Sequence, residues 1–212
     1  MIFVINPNSD TRVTRQISEA IAPLRQETAL ELSCLTVEQG PALISRQRDA
    51  DAAVMPLLET AAALESQARA FVIACFSDPG IFALREESAH PVFDMCDYAV
   101  ASALEQGERF GVVAVSEQSI PRHHRYFGIL GCRERLAGEL ALGLDPAEFA
   151  DRRKMLAALV RKSEELRDEH GADSVVLGCA AFSTYRGELQ RHLRMTVIDP
   201  ALAAVRAAIA AA

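Results

Sequence analysis

Membrane-length apolar runs are missing from this 212-residue chain. A span needs about 18 or more consecutive apolar residues, and the Ala-rich C-terminal stretch is short and interrupted by Arg206. The opening MIFVINPNSD has no positively charged leader and no small-residue cleavage site, so no secretory signal is expected and the protein is expected in the cytoplasm. Positive charge is scarce too: 22 Lys and Arg stand against 29 Asp and Glu, for a net charge of −7. The basic residues are scattered, which leaves no electrostatic footprint for nucleic acid. The five cysteines, Cys34, Cys75, Cys96, Cys132 and Cys179, are odd in number and contain no C-x-x-C pair, which suits reduced thiols better than a disulfide framework. Zinc-type spacing is absent as well. His123 and His124 are merely adjacent, without a carboxylate at ligand spacing, and read as an exposed helix or loop. No metal is expected, and no low-complexity linker divides the chain.

What the sequence does contain is a recurring unit. Half of the residues are hydrophobic, enough for one sizeable core or two of about 100 residues each. Short runs rich in Val, Ile and Phe occupy Ile2–Asn6, Leu30–Val37, Ala70–Phe76, Pro91–Met95, Arg109–Val115, Ser174–Cys179 and Met195–Asp199, with a weaker one at Glu139–Leu144. They are continuously apolar, as strands buried on both faces of a parallel sheet must be. Helical patterns fill Thr11–Gln26, Ala50–Arg69, Asp97–Gln106, Pro146–His170 and Pro200–Ala212. Alternation of this kind predicts an open α/β architecture.

The unit is repeated. PVFDMCDYAV and TVIDPALAAV superpose at an offset of 105, pairing Val92 with Val197, Asp94 with Asp199, Ala99 with Ala204 and Val100 with Val205; Cys75 and Cys179 lie 104 apart. A repeat of about 100 residues is domain-sized, not a solenoid unit. Two similar α/β lobes with parallel sheets are expected, related by a pseudo-two-fold axis: residues 1–95 plus 200–212, and residues 96–199.

Ligands of open α/β sheets bind beyond the carboxyl ends of the strands, and there both VIACFSDPG and VVLGCAAFS place a thiol. If the lobes face each other, Cys75 and Cys179 approach one cleft from opposite sides, an arrangement suited to paired proton transfer. A thiol just ahead of a helix also feels unpaired N–H groups and the positive dipole end, which predicts a lowered pKa. Free cysteine often packs as a small hydrophobe; Cys34, Cys96 and Cys132, which lack the symmetry, are read that way.

FVINPNS, GPALI, ACFSDPGIFALRE, PVFDM, RFGVVAV, LGCAAFS and VIDPALAAV, in that order over nearly the whole chain, resemble the aspartate/glutamate/hydantoin racemase superfamily. Within it they most resemble the hydantoin and allantoin racemase branch. The resemblance implies two Rossmann-like lobes, an active site in the cleft between them, no cofactor, and Cys75 and Cys179 as the two acid/base thiols. Superfamily members acting on free amino acids typically carry Asn-Thr after the first cysteine and Thr after the second. Here Phe76-Ser77 and Ala180-Ala181 stand there, which points to a 5-substituted hydantoin or allantoin.

Racemisation beside a carbonyl needs a base on one face and an acid on the other. The developing enolate oxygen needs donors, and the backbone N–H groups at Phe76, Ser77, Ala180 and Ala181 are available by position. Asn8 and Ser9 after the first strand, and Ser116 at the equivalent place in the second lobe, are candidate contacts to a ring amide; turn and N-cap chemistry is their structural alternative. Asp78-Pro79-Gly80 reads as loop-shaping, and Arg85 and Glu86 as a solvated helix face. The expected partners are a small-molecule substrate and further copies of the chain. The competing readings are an amino-acid racemase, maleate isomerase or arylmalonate decarboxylase of the same superfamily, or a two-lobed ligand-binding module without chemistry.

Overall fold

The computed structural model describes residues 1–212, apart from the side chain of Pro146. The first half runs β1 (Ile2–Asn6), α1 (Thr11–Ala20), β2 (Leu32–Thr36), α2 (Gln47–Leu64), β3 (Ala70–Ile73), α3 (Ile81–Glu87), β4 (Val92–Asp94) and α4 (Met95–Leu104). The second half repeats the plan with β5 (Phe110–Ala114), α5 (Ile120–Ile129), β6 (Leu136–Ala141), α6 (Arg152–Asp168), β7 (Ser174–Gly178), α7 (Arg186–Leu193), β8 (Thr196–Ile198) and α8 (Pro200–Ala211). Two four-stranded sheets result, ordered β2-β1-β3-β4 and β6-β5-β7-β8. Every pairing is parallel. Among the described residues no helix is long and apolar enough to cross a membrane.

The central strands β1, β3, β5 and β7 are buried throughout, which is why they read as unbroken apolar runs. Edge strands β2 and β6 are mostly half-buried. The edge position explains the one displaced strand: β6 begins at Leu136, earlier than its hydrophobicity suggests, because its register against β5 runs from Phe110↔Leu136 to Ala114↔Ala141. Helices α3, α5 and α7 escaped the periodicity because they are short and, in IPRHHRYFGI and RGELQRHL, largely polar.

The repeated Asp that revealed the two halves has a local cause. Asp94 caps α4 by accepting from Asp97 N at 2.8 Å, and Asp199 caps α8 by accepting from Ala201 N at 2.8 Å and Leu202 N at 3.2 Å. Each such cap contributes about 1 kcal/mol. The two capped helices pack against each other and against the opposite sheets. Cys96, Ala99, Val100 and Ala103 of α4 join Phe110, Val112 and Val176 in one core cluster, whereas Ala201, Ala204, Val205 and Ala208 of α8 join Ile2, Val4 and Val72 in another. This reciprocal exchange holds the two sheets with the carboxyl ends of β3 and β7 on a shared cleft.

Candidate active site

A cavity of about 530 Å³ lies between the lobes, and both Cys75 and Cys179 line it. Each cysteine opens a tight turn just beyond its strand: Asp78 N donates to Cys75 O at 2.9 Å, and Phe182 N to Cys179 O at 3.0 Å. Within these turns the backbone N–H of Ser77 favours the anionic form of Cys75, and that of Ala181 the anionic form of Cys179. The first turn requires Asp78 at φ 42°, a left-handed conformation uncommon outside glycine. It is held there by two buried bonds, from Met95 N at 2.9 Å and Cys96 N at 3.0 Å to the Asp78 carboxylate. Asp-Pro-Gly therefore shapes the loop by tying it to the start of α4.

The turns also send their next residues across the molecule. Phe76 is buried in the second lobe's cluster with Phe110 and Phe127, and Ala180 is buried in the first lobe's cluster with Val4 and Ile17. Both line the cavity, but their side chains are committed to core packing, so the main chain is what they can present to a ligand.

The thiols are not acidified. Burial pushes Cys75 up to about 12 and Cys179 up to about 11, and the single N–H on each sulfur only moderates the rise. The expected lowering by a helix terminus is overturned at Cys75 for a plain reason: α3 begins only at Ile81, too far to act on the sulfur. At Cys179 a 3-10 turn, Ala180–Tyr185, does follow at once, yet walls such as Ile44, Val115 and Phe182 favour the neutral thiol.

Asn8 and Ala181 line the cavity, as does Ser77. Asn8 Oδ1 accepts from Asn6 Nδ2 at 3.0 Å and from Asp10 N at 2.9 Å, which leaves its amide nitrogen as the group offered to a ligand. Ser9 does not reach the lining; its N–H bonds Pro41 O at 3.1 Å and fastens the loop carrying Ala42–Ile44 over the site. Gly40 in that loop packs so closely on Pro7 O that no Cβ fits. Ser116 faces an adjoining cavity of about 520 Å³ that shares Leu43, Val115 and Phe149 with the first.

Three residues of the cleft were missed from sequence. Arg122 and His123, near the start of α5, line the cavity with the thiols, and Glu139 stands behind them on β6. His123 is only 2% exposed, which corrects its reading as an exposed residue. Its Nδ1 meets Glu139 Oε1 at 2.5 Å and its Nε2 lies 3.4 Å from Ser77 Oγ; its ring is set edge-on to Phe76. Arg122 Nη2 donates to Ser77 Oγ at 2.7 Å. Arg85 is likewise more than a solvated side chain, since it donates to Val92 O at 3.2 Å and pairs with buried Asp94 at 2.9 Å. Among the described residues no group of three or more His, Cys, Asp or Glu is placed to hold a metal ion.

Residues 2–208 match the family model described as Asp/Glu/Hydantoin racemase. The chain belongs to that family. Among its relatives in this racemase family, a hydantoin racemase of Rhizobium meliloti is 35% identical over 215 residues, covering 98% of this chain and 86% of the relative. A hydantoin racemase of Paenarthrobacter aurescens is 32% identical over 210 residues, covering 98% and 89%. Of solved structures, the allantoin racemase from Klebsiella pneumoniae superposes with a TM-score of 0.87 at 28% identity, covering 98% of this chain and 85% of that one. The two-lobed racemase fold and the α/β class read from the repeat are thus those of the family.

Proposed function

We propose that this family member racemises 5-substituted hydantoins or allantoin, without a cofactor, by proton transfer between two thiols. The observation that carries the reading is that Cys75 and Cys179 end equivalent strands of two sheets and line one cavity. The names of its relatives set the substrate class. The cavity volume of about 530 Å³ lies within the range of small-ligand sites, roughly 300–1,000 Å³.

In the proposed cycle one sulfur, as thiolate, takes the proton from the ring carbon beside the carbonyl. The other, as thiol, returns a proton to the opposite face, and the enzyme emerges with the two protonation states exchanged. Burial serves this chemistry: a thiolate of raised pKa is a stronger base toward a weakly acidic C–H bond. The N–H groups of Ser77 and Ala181 favour the anionic sulfur and steady whichever one is the thiolate. The N–H groups of Phe76 and Ala180 are then the ones left for the developing enolate oxygen, with the Asn8 amide for the ring. A ring amide suits such a site because its carbanion avoids the second negative charge that a free α-carboxylate would have to develop.

The test is loss of optical activity, followed by circular dichroism, for single enantiomers of several 5-substituted hydantoins, allantoin, aspartate and glutamate. Racemisation of the ring compounds at least about tenfold faster than of either amino acid, roughly 1.4 kcal/mol in barrier, is the expected result. Preference for an amino acid overturns the substrate class, and no racemisation of any ring compound overturns the function.

A further inference from the structure

Ser77, Arg122, His123 and Glu139 form one linked chain of polar contacts. Glu139 is a carboxylate with a fully buried side chain, and as an acceptor it makes His123 Nδ1 the donor in their 2.5 Å contact. The Nε2 of the same ring lies 3.4 Å from Ser77 Oγ. Ser77 Oγ in turn accepts from Arg122 Nη2 at 2.7 Å. The chain thereby fixes the guanidinium from behind.

What it fixes is a buried cation facing the thiols. Arg122 is 8% exposed, and its Nε and Nη1 have no partner among the described residues. A guanidinium stays charged at neutral pH, and leaving its donors unpaired in a low-dielectric site is costly. The other cation on the cavity lining, Arg12, is already paired with Asp10 at 2.7 Å. Much of the remaining lining is apolar, including Ile44, Val115, Phe149 and Phe182. The need here is for an acceptor of full negative charge.

We infer that Arg122 is a subsite for a carboxylate carried on the substrate's 5-substituent, so that the favoured substrates are 5-(carboxyalkyl)hydantoins. This rests on the hydantoin reading proposed above: the neutral ring is served by main-chain N–H groups and Asn8, and the charged arm by Arg122. Ser77, His123 and Glu139 are positioning residues for that arginine.

The experiment compares hydantoin-5-acetic acid with its carboxamide, which has the same shape without the charge. Calorimetric Kd values are measured alongside racemisation rates, and 5-methylhydantoin serves as a control for turnover. Wild type is expected to bind the acid at least about tenfold more tightly than the amide, with the ratio shrinking as salt is raised. Arg122→Gln is expected to bring the ratio close to one, and Arg122→Lys to restore part of it. Should Arg122→Gln fail to fold, the wild-type ratio and its salt dependence still decide the matter. Equal binding of acid and amide by wild type, or an Arg122→Gln ratio unchanged from wild type, overturns the subsite. Turnover of 5-methylhydantoin under the same conditions leaves the racemase reading standing; its absence counts against that reading separately.

Discussion

Phe76 and Ala180 exchange lobes: the residue after the first cysteine is buried in the core of the second lobe, and the residue after the second cysteine in the core of the first. Each cysteine is thereby anchored on one side by its own strand and on the other by the opposing lobe, and the distance across the cleft becomes a property of core packing. Phe76 is the larger anchor. Phe76→Ala is expected to cost about 3–5 kcal/mol of stability, and Phe76→Leu less. In Phe76→Leu, racemisation should fall by more than the unfolded fraction explains, because Cys75 loses its brace. Chemical denaturation paired with rate measurements checks this, and full specific activity in folded Phe76→Leu would refute it.

The symmetry of the repeat makes a symmetrical demand on the chemistry. Cys75→Ala and Cys179→Ala are each expected to abolish racemisation, since neither variant can both take and return the proton. Each is expected to retain slow deuterium exchange with one enantiomer only, and the two should select opposite enantiomers. Cys34→Ala, Cys96→Ala and Cys132→Ala should keep most of their activity. Proton NMR of the ring hydrogen in deuterium oxide, with optical rotation, reads all five. Substantial racemisation by either active-site variant rejects the two-thiol mechanism.

Raised thiol pKa values set a pH dependence of definite sign. With burial holding Cys75 near 12 and Cys179 near 11 against an ordinary 9.0, the thiolate fraction at either position should grow about tenfold per pH unit from neutral to roughly pH 10. Alkylation of these two residues by iodoacetamide, located by mass spectrometry, should follow that slope. A rate that levels off below about pH 8 would mean that the thiols are acidic after all.

The same values bear on stability. Between the unfolded value of 9.0 and the folded values of about 11 and about 12, the folded state holds protons that the unfolded chain has released. The stability contributed by these neutral thiols is therefore complete below pH 9 and declines above it, by at most about 1.4 kcal/mol per pH unit for each thiol. Cys75→Ala should flatten the alkaline fall relative to wild type in denaturant titrations from pH 8 to 10.5. An identical slope in the variant contradicts the assigned shift.

Asp78 joins an unfavourable backbone conformation to two buried hydrogen bonds. Asp78→Ala leaves Met95 N and Cys96 N without their acceptors and should cost about 2–6 kcal/mol, at about 1–3 kcal/mol for each unsatisfied group. Asp78→Asn, with one acceptor oxygen left, should fall between. Urea unfolding of the three proteins gives the order, and an Asp78→Ala as stable as wild type would show that the loop is held otherwise.

Local physics wrote much of the fold into the sequence. Fully buried strands must be continuously apolar, so β1, β3, β5 and β7 were readable from composition alone. Asp94 and Asp199 mark the halves because a helix following a strand needs an N-cap at the same place each time. Cys75 and Cys179 stood out for the same reason, as polar-capable groups at matched strand ends. Tertiary structure alone decided the rest. Ser77 lies 45 positions from Arg122 and 46 from His123, and His123 lies 16 from Glu139; no local pattern relates them, because α5 meets β6 and the loop after β3 only in the folded molecule. The direction of the thiol shifts was also beyond sequence. A helix-end rule weighs one N–H and one dipole, whereas the pKa answers to every apolar wall around the sulfur, and those walls come from both lobes at once.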